Sequence, residues 1–289
     1  MNRIVIAFLI ALSTGAAHAA DESAVSHPAL WRVTGRQSTV YLFGSVHILS
    51  PKLMWRDARI GRAIDRADAF FFETALDAVA IKQFVATKAM LPPGQSLRAL
   101  LPQDAQKNLD DDFAMLGVPE AALDGRRPWF VTIAMFSLKN ARRGEAPTGV
   151  DISVMGDAAS RGKPQRYFET MQQQMALIVP DDPKLELQSF EMFLKDFKKG
   201  DADADPLIDA WLAGDEDRLA DLLLKGFDKH PDARKVLFDD RNKAWAATLE
   251  NVLDHERGTF FVTVGAGHLV TERGVPALLK HDGYRIERL

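Results

Sequence analysis

Twice in this chain an apolar, strand-like run ends in Gly-x-x-His: Tyr41-Leu-Phe-Gly-Ser-Val-His47 near the start and Phe260-Phe-Val-Thr-Val-Gly-Ala-Gly-His268 near the end. Aromatic and β-branched residues fill each run, so each reads as a buried strand, and the glycine lets the backbone turn sharply into a loop that carries the histidine. Both histidines are thereby set at strand carboxyl ends. In open α/β sheets that edge is where ligands bind, so side chains far apart in sequence can meet at one site there.

The first 19 residues have the features of an export signal. Arg3 supplies the positive charge, Ile4 to Leu12 a short apolar core, and Ala17-His18-Ala19 a small-residue cleavage site. The apolar run is too short to span a membrane, and no second run of that kind follows, so a soluble mature chain, periplasmic or secreted and without a transmembrane anchor, is expected. The remaining residues, 20–289, suffice for one α/β domain. The chain has no cysteine, so any metal must be held by His, Asp or Glu. With 36 basic and 40 acidic residues and a net charge of −4, it has no electrostatic bias toward nucleic acid.

Along the chain, Leu30–Thr34 and Thr39–Phe43 flank Gly35-Arg-Gln-Ser38 as a hairpin whose second strand delivers His47. Ile60, Ile64 and Ala67 recur at helical spacing before Ala69-Phe-Phe-Phe-Glu73, a buried strand ending in a carboxylate. A short echo, Tyr167-Phe-Glu-Thr170, again follows a helical stretch and puts Glu169 at a strand end. The terminal segment repeats strand, histidine, helix and last strand (284–289). Between these pieces, at about 76–145 and 181–255, apolar stripes such as Phe190, Phe193 and Phe197 predict helices that pack on the sheet or cap its edge. The segments 201–206 and 91–94 read as loops.

His47 and His268 are candidate metal ligands, and Glu73, with Glu169 as second choice, would complete a two-histidine, one-carboxylate set suited to Zn, Mn, Fe or Co. The competing reading is that strand-end histidines are structural, held by hydrogen bonds. Familiar motifs are absent: His255-Glu256 has no second histidine in zincin spacing, and Gly265-Ala-Gly267 lacks the third glycine of a dinucleotide loop. Asp151, after Gly149-Val150, is expected to cap a helix, with direct chemistry as the lesser role. Arg241, opening the helix before the second histidine strand, either reaches an anionic group at the sheet edge or makes a surface salt bridge.

Leu-Phe-Gly-Ser-Val-His47, Glu73 after its aromatic strand, Gly149-Val-Asp151, Phe168-Glu-Thr170, Arg241-Asn242 and Val-Gly-Ala-Gly-His268 stand in an order that resembles the TraB/GumN family from about Leu30 to the last residue. That family is similar to the Tiki metalloproteases and, more distantly, to erythromycin-esterase-like and ChaN-like haem-binding proteins. The resemblance implies an α/β fold with a mixed central sheet made from two similar halves, flanked and capped by helices. It also implies a site on His47, Glu73 and His268. The implied activity is that of an exported metal-dependent hydrolase, using Mn, Zn or Co on a peptide or protein substrate, with Glu169, Arg241 and Asp151 orienting the substrate. The alternative it implies is a haem- or metal-binding protein without turnover.

Overall fold

The computed structural model describes residues 26–47, 49–50, 52–142, 149–180, 182–197, 204–228 and 230–289; residues 1–19, read from sequence as an export signal, lie outside them. Six strands form one mixed sheet: β1 (Leu30–Thr34), β2 (Ser38–Ser45), β3 (Ala69–Thr74), β4 (Gln165–Glu169), β5 (Gly258–Gly265) and β6 (Arg285–Arg288), in the spatial order β4-β3-β5-β2-β1-β6. β1 and β2 pair antiparallel, Leu30 opposite Phe43 and Thr34 opposite Thr39, as a hairpin signal at Gly35–Ser38 requires. β2, β5, β3 and β4 run parallel, and β1 meets β6 antiparallel at the edge. All four parallel strands therefore end at one edge, where His47, Glu73, Glu169 and the Gly265 turn into His268 lie. The two halves of the sequence echo become neighbours: β3 and β4 pair side by side, with Thr74 opposite Glu169.

Strand periodicity of two divides the sheet residues between two cores. Tyr41, Phe43, Phe70, Phe72 and Phe261 pack on one face against the Ala58–Arg66 and Val150–Ser160 helices and against Ile208 and Trp211. Leu42, Phe71, Phe260 and Val262 pack on the other against the helices Asp240–His255 and Val275–His281. Ile60, Ala63 and Ile64 form the buried stripe of the first helix, and Asp57 caps it by accepting from the Arg59 and Ile60 N–H groups. A third cluster stands apart from the sheet. Phe113, Val131, Met135, Phe190 and Phe193 bring together the helices Gln103–Leu116, Pro128–Arg142 and Pro183–Asp196.

Two local expectations change. Gly149, not Asp151, occupies the cap position of the Val150–Ser160 helix, and Asp151 falls in its first turn. The Val150 N–H bonds to Val46 O at 3.0 Å, which starts the helix early and docks it on the loop that carries His47. The acidic stretch at 201–206 is not wholly loop: the helix Ala204–Ala213 begins within it, with Pro206 in the first turn, where no backbone N–H is needed. Positions 201–203 lie outside the described residues.

Phe261 is fully buried at the middle of the sheet, with ring centroids 5.9 Å from both Phe43 and Phe70. Phe261→Ala leaves a cavity between three strands and is expected to cost about 3–5 kcal/mol, read as a lower denaturation midpoint at unchanged slope in urea.

Candidate functional site

His47, Glu73 and His268 do converge. The marker is Gly265, the last residue of β5: a Cβ built there would stand 3.3 Å from Glu73 Oε1, 3.6 Å from His268 Cδ2 and 4.0 Å from His47 Nε2. The bare Cα of this glycine forms the floor of the spot on which the three side chains close. Gly149 has a comparable role one layer out. A Cβ on it would stand 2.4 Å from His47 O, so only glycine lets the Val150–Ser160 helix approach the His47 loop this closely.

The two histidines share a motif and differ in state. His268 is 3% exposed, and both ring nitrogens are engaged. Arg241 can only donate, so the Nη1–H group 3.0 Å from His268 Nε2 makes that nitrogen the acceptor. Nδ1–H then donates to Asn242 Oδ1 at 2.6 Å, and Asn242 is held in that orientation because its Nδ2 donates to Arg273 O at 2.8 Å. Burial and the Arg241 charge, opposed by Glu73, push the His268 imidazolium down to about 3. His268 is therefore neutral. His47 is a third exposed and sits 3.3 Å, through Nδ1, from Asp151 Oδ2. Burial depresses it, but Asp151, by charge and hydrogen bond, and Glu73 outweigh that and raise it above the usual histidine value. His47 Nδ1–H donates to the Asp151 carboxylate, which leaves Nε2 turned toward Gly265.

Arg241 holds the remainder. Its Nε donates to Glu169 Oε1 at 2.7 Å, Nη2 to Glu73 Oε2 at 2.7 Å and Glu169 Oε2 at 3.0 Å, and Nη1 to Leu237 O at 3.0 Å as well as to His268. The surface salt bridge considered for Arg241 is thus corrected: the side chain is 6% exposed and lies 4.6 Å from the Trp245 ring centroid. Glu73 is complete without a protonated form. Gly265 N–H donates to Oε1 at 2.7 Å, and Gln174 Nε2 donates to Oε2 at 2.8 Å beside Arg241. Burial would raise this carboxyl, but Arg241, His268, His47 and the Gly265 N–H bring it down to about 2.

Sequence did not assign Gln174 or Trp245 to the site, and it named Asn242 only as the neighbour of Arg241. A signal for Gln174 exists, since Thr170-Met-Gln-Gln173 forms a capping box that opens the helix Met171–Ile178 directly at the end of β4. Nothing local marks Asn242 or Trp245 beyond their neighbour Arg241.

These donors do not fit one metal ion shared by His47, Glu73 and His268. A cation already stands on the His268 lone pair, anchored by four further bonds, and among the described residues no group of three His, Asp or Glu is arranged around an ion. Haem iron would likewise find no free ring nitrogen on His268. His47 Nε2 and Glu73 Oε1 do face the same spot.

With this geometry in place, comparison with known families is specific: the model of the TraB/PrgY/gumN family matches residues 29–288, and the chain belongs to that family. No curated protein matches the chain.

The opposed histidine states give a test that needs no substrate. In 15N-imidazole NMR, His47 should titrate above 6.5 and move to lower pH in Asp151→Asn, because the charge that raises it is gone. His268 should remain the Nδ1–H tautomer through pH 5. A His268 that titrates near 6.5 would break the assignment.

Proposed function

From membership in this family and from the site geometry, we propose that the chain is an exported hydrolase of the peptide bond in which His47 is the general base. One observation carries the hydrolytic part. Of the two motif histidines, only His47 has an Nε2 without a partner among the described residues, and it faces the bare Cα of Gly265 beside Glu73 Oε1. Asp151 holds the tautomer and stabilises the imidazolium that forms when Nε2 takes the proton of water. The same proton then passes to the leaving amine. Glu73, ionised and locked by Arg241 and Gln174, supplies a fixed negative charge beside His47, which favours that imidazolium. Arg241 has all five N–H groups engaged and so positions Glu73 and Glu169 rather than substrate. The resemblance to Tiki proteases supports the peptide bond as substrate.

A second reading, a metal-dependent hydrolase on Mn, Zn or Co, is favoured by a different observation. One guanidinium is set against the carboxylates of Glu73 and Glu169, and Asp151 beside His47 adds a third, so with both histidines neutral the site carries surplus negative charge. In that reading His47 and Glu73 hold the ion, and a bound ion would polarise the carbonyl and acidify water.

Gly265→Ala and His47→Ala test the proposal together. Gly265 has an ordinary negative φ of −53°, and the nearest atom to an added methyl, Glu73 Oε1, is 3.3 Å away and must give by a few tenths of an ångström, so the chain should still fold, with a melting temperature lowered by a few degrees, while the methyl occupies the reacting spot. Cleavage of a peptide library should fall by about 100-fold or more for Gly265→Ala and by about 100- to 10,000-fold for His47→Ala. Activity that survives His47→Ala sinks the general-base role. Elemental analysis with chelator treatment separates the readings, since activity lost to chelator and restored by Mn, Zn or Co selects the metal.

A further inference from the structure

A cavity lies away from the sheet edge. It is a cleft of about 930 Å³ between the helices Ala78–Lys88, Pro128–Arg142, Met171–Ile178 and Pro183–Asp196. That volume falls in the range of small-molecule sites. Its walls are apolar, with Phe84, Met90, Leu100, Ala176, Val179 and Leu187 among them, and Met90 and Leu100 remain 48% and 40% exposed. Large apolar side chains left in water around a concavity mark a binding surface more often than a packing fault.

The charges in the lining are one-sided. Lys88, Arg127 and Lys184 face a single carboxylate, Glu186. Glu186 is consumed: Oε2 accepts from Arg127 Nη2 at 2.7 Å and Nε at 3.1 Å, and Oε1 accepts from the Trp129 N–H at 3.0 Å. Asp182, just outside the lining, caps its own helix through the Lys184 backbone N–H. Among the described residues, Lys88 and Lys184 therefore keep uncompensated ammonium groups on an otherwise apolar cleft. An uncharged apolar ligand would leave those groups unused, and a cationic one would be repelled.

We propose that this cleft binds a single apolar chain ended by a carboxylate, of the medium-chain fatty-acid kind, with the chain between Phe84, Ala176 and Leu187 and the carboxylate on Lys88 and Lys184. The site is distinct from the one at Gly265 and does not depend on the hydrolase reading. The two are nonetheless joined by one helix. Gln172 and Ala176 of Met171–Ile178 line the cleft, whereas Gln174, about 200° away around the helix axis at 100° per residue, bonds Glu73. An occupant pressing on Ala176 therefore bears on the element that holds the Glu73 carboxylate.

Calorimetric titration of the full chain with dodecanoate, dodecanol and dodecyltrimethylammonium, each below its micellar concentration, tests this. Dodecanoate should bind once per chain and at least about tenfold tighter than the other two. Ala176→Trp, at an exposed position, should abolish that binding while circular dichroism shows an unchanged fold. The pair Lys88→Glu and Lys184→Glu, also at exposed positions, should weaken dodecanoate about tenfold or more and leave dodecanol unaffected. Equal affinity for all three amphiphiles, or dodecanoate affinity unmoved by the lysine pair, overturns the proposal. Should Ala176→Trp fail to fold, the lysine pair alone decides between these outcomes.

Discussion

Five N–H groups of one arginine hold the edge of this sheet together. Arg241 reaches a carboxylate from β3, a carboxylate from β4, the imidazole that follows β5 and a carbonyl of the turn just before its own helix, and it does so while almost wholly out of water. Only a planar fork serves all these acceptors at once, and the Trp245 ring beneath it adds the cation–π face. A lysine has neither the number nor the geometry of donors. Removing the guanidinium leaves Glu73 and Glu169 buried side by side without a cation, a loss of the kind that costs about 3–5 kcal/mol. The echo of Glu-Thr at two strand ends thus acquires a physical sense, because it supplies one cation with two anions.

That arrangement separates two histidines that sequence makes look alike. His268 is committed through Asn242 and Arg273 on one nitrogen and through Arg241 on the other, so it behaves as a structural acceptor. His47 has one nitrogen committed to Asp151 and, among the described residues, no partner on the other. The two roles open to a strand-end histidine are therefore both present, one at each motif. Under the proposed hydrolysis His47 would carry the chemistry, and His268 supplies rigidity.

The sheet was legible in sequence because its information is local. Aromatic runs such as Phe70–Phe72 and glycine stops such as Gly265 carry strand and turn within a few residues, and strand ends on one edge follow from parallel order. The convergence of His47, Glu73 and His268 was legible for the same reason. The bonding among them was not. Arg241 on a helix is as a rule a solvated residue, and its burial depends on where the π-type turn Lys235–Asp239 sets down the following helix against the sheet. Asp151 read as a cap because Gly149-Val-Asp is a cap pattern; its partner came from the close approach of Gly149 to His47 O, which only tertiary packing supplies. For Gln174 the capping box at Thr170 marked where its helix begins but not which of three successive glutamines turns to the site.

The same charges give the site opposite responses to acid and base. Glu73 titrates at about 2 instead of 4.5, so it stabilises the fold above 4.5, and that contribution is lost as pH falls toward 2. His268, held neutral down to about 3, acts in the same direction, since the unfolded imidazole binds a proton from 6.5 downward and the folded one refuses it. His47 runs the other way. Its raised value stabilises the fold below 6.5 and gives that up as pH rises through the folded value, where its Nε2 lone pair is freed to act as a base. The edge of the sheet is thereby cemented by Glu73 and His268, whose contributions fail only in acid, while His47 is the group whose loss of a proton weakens it as pH rises.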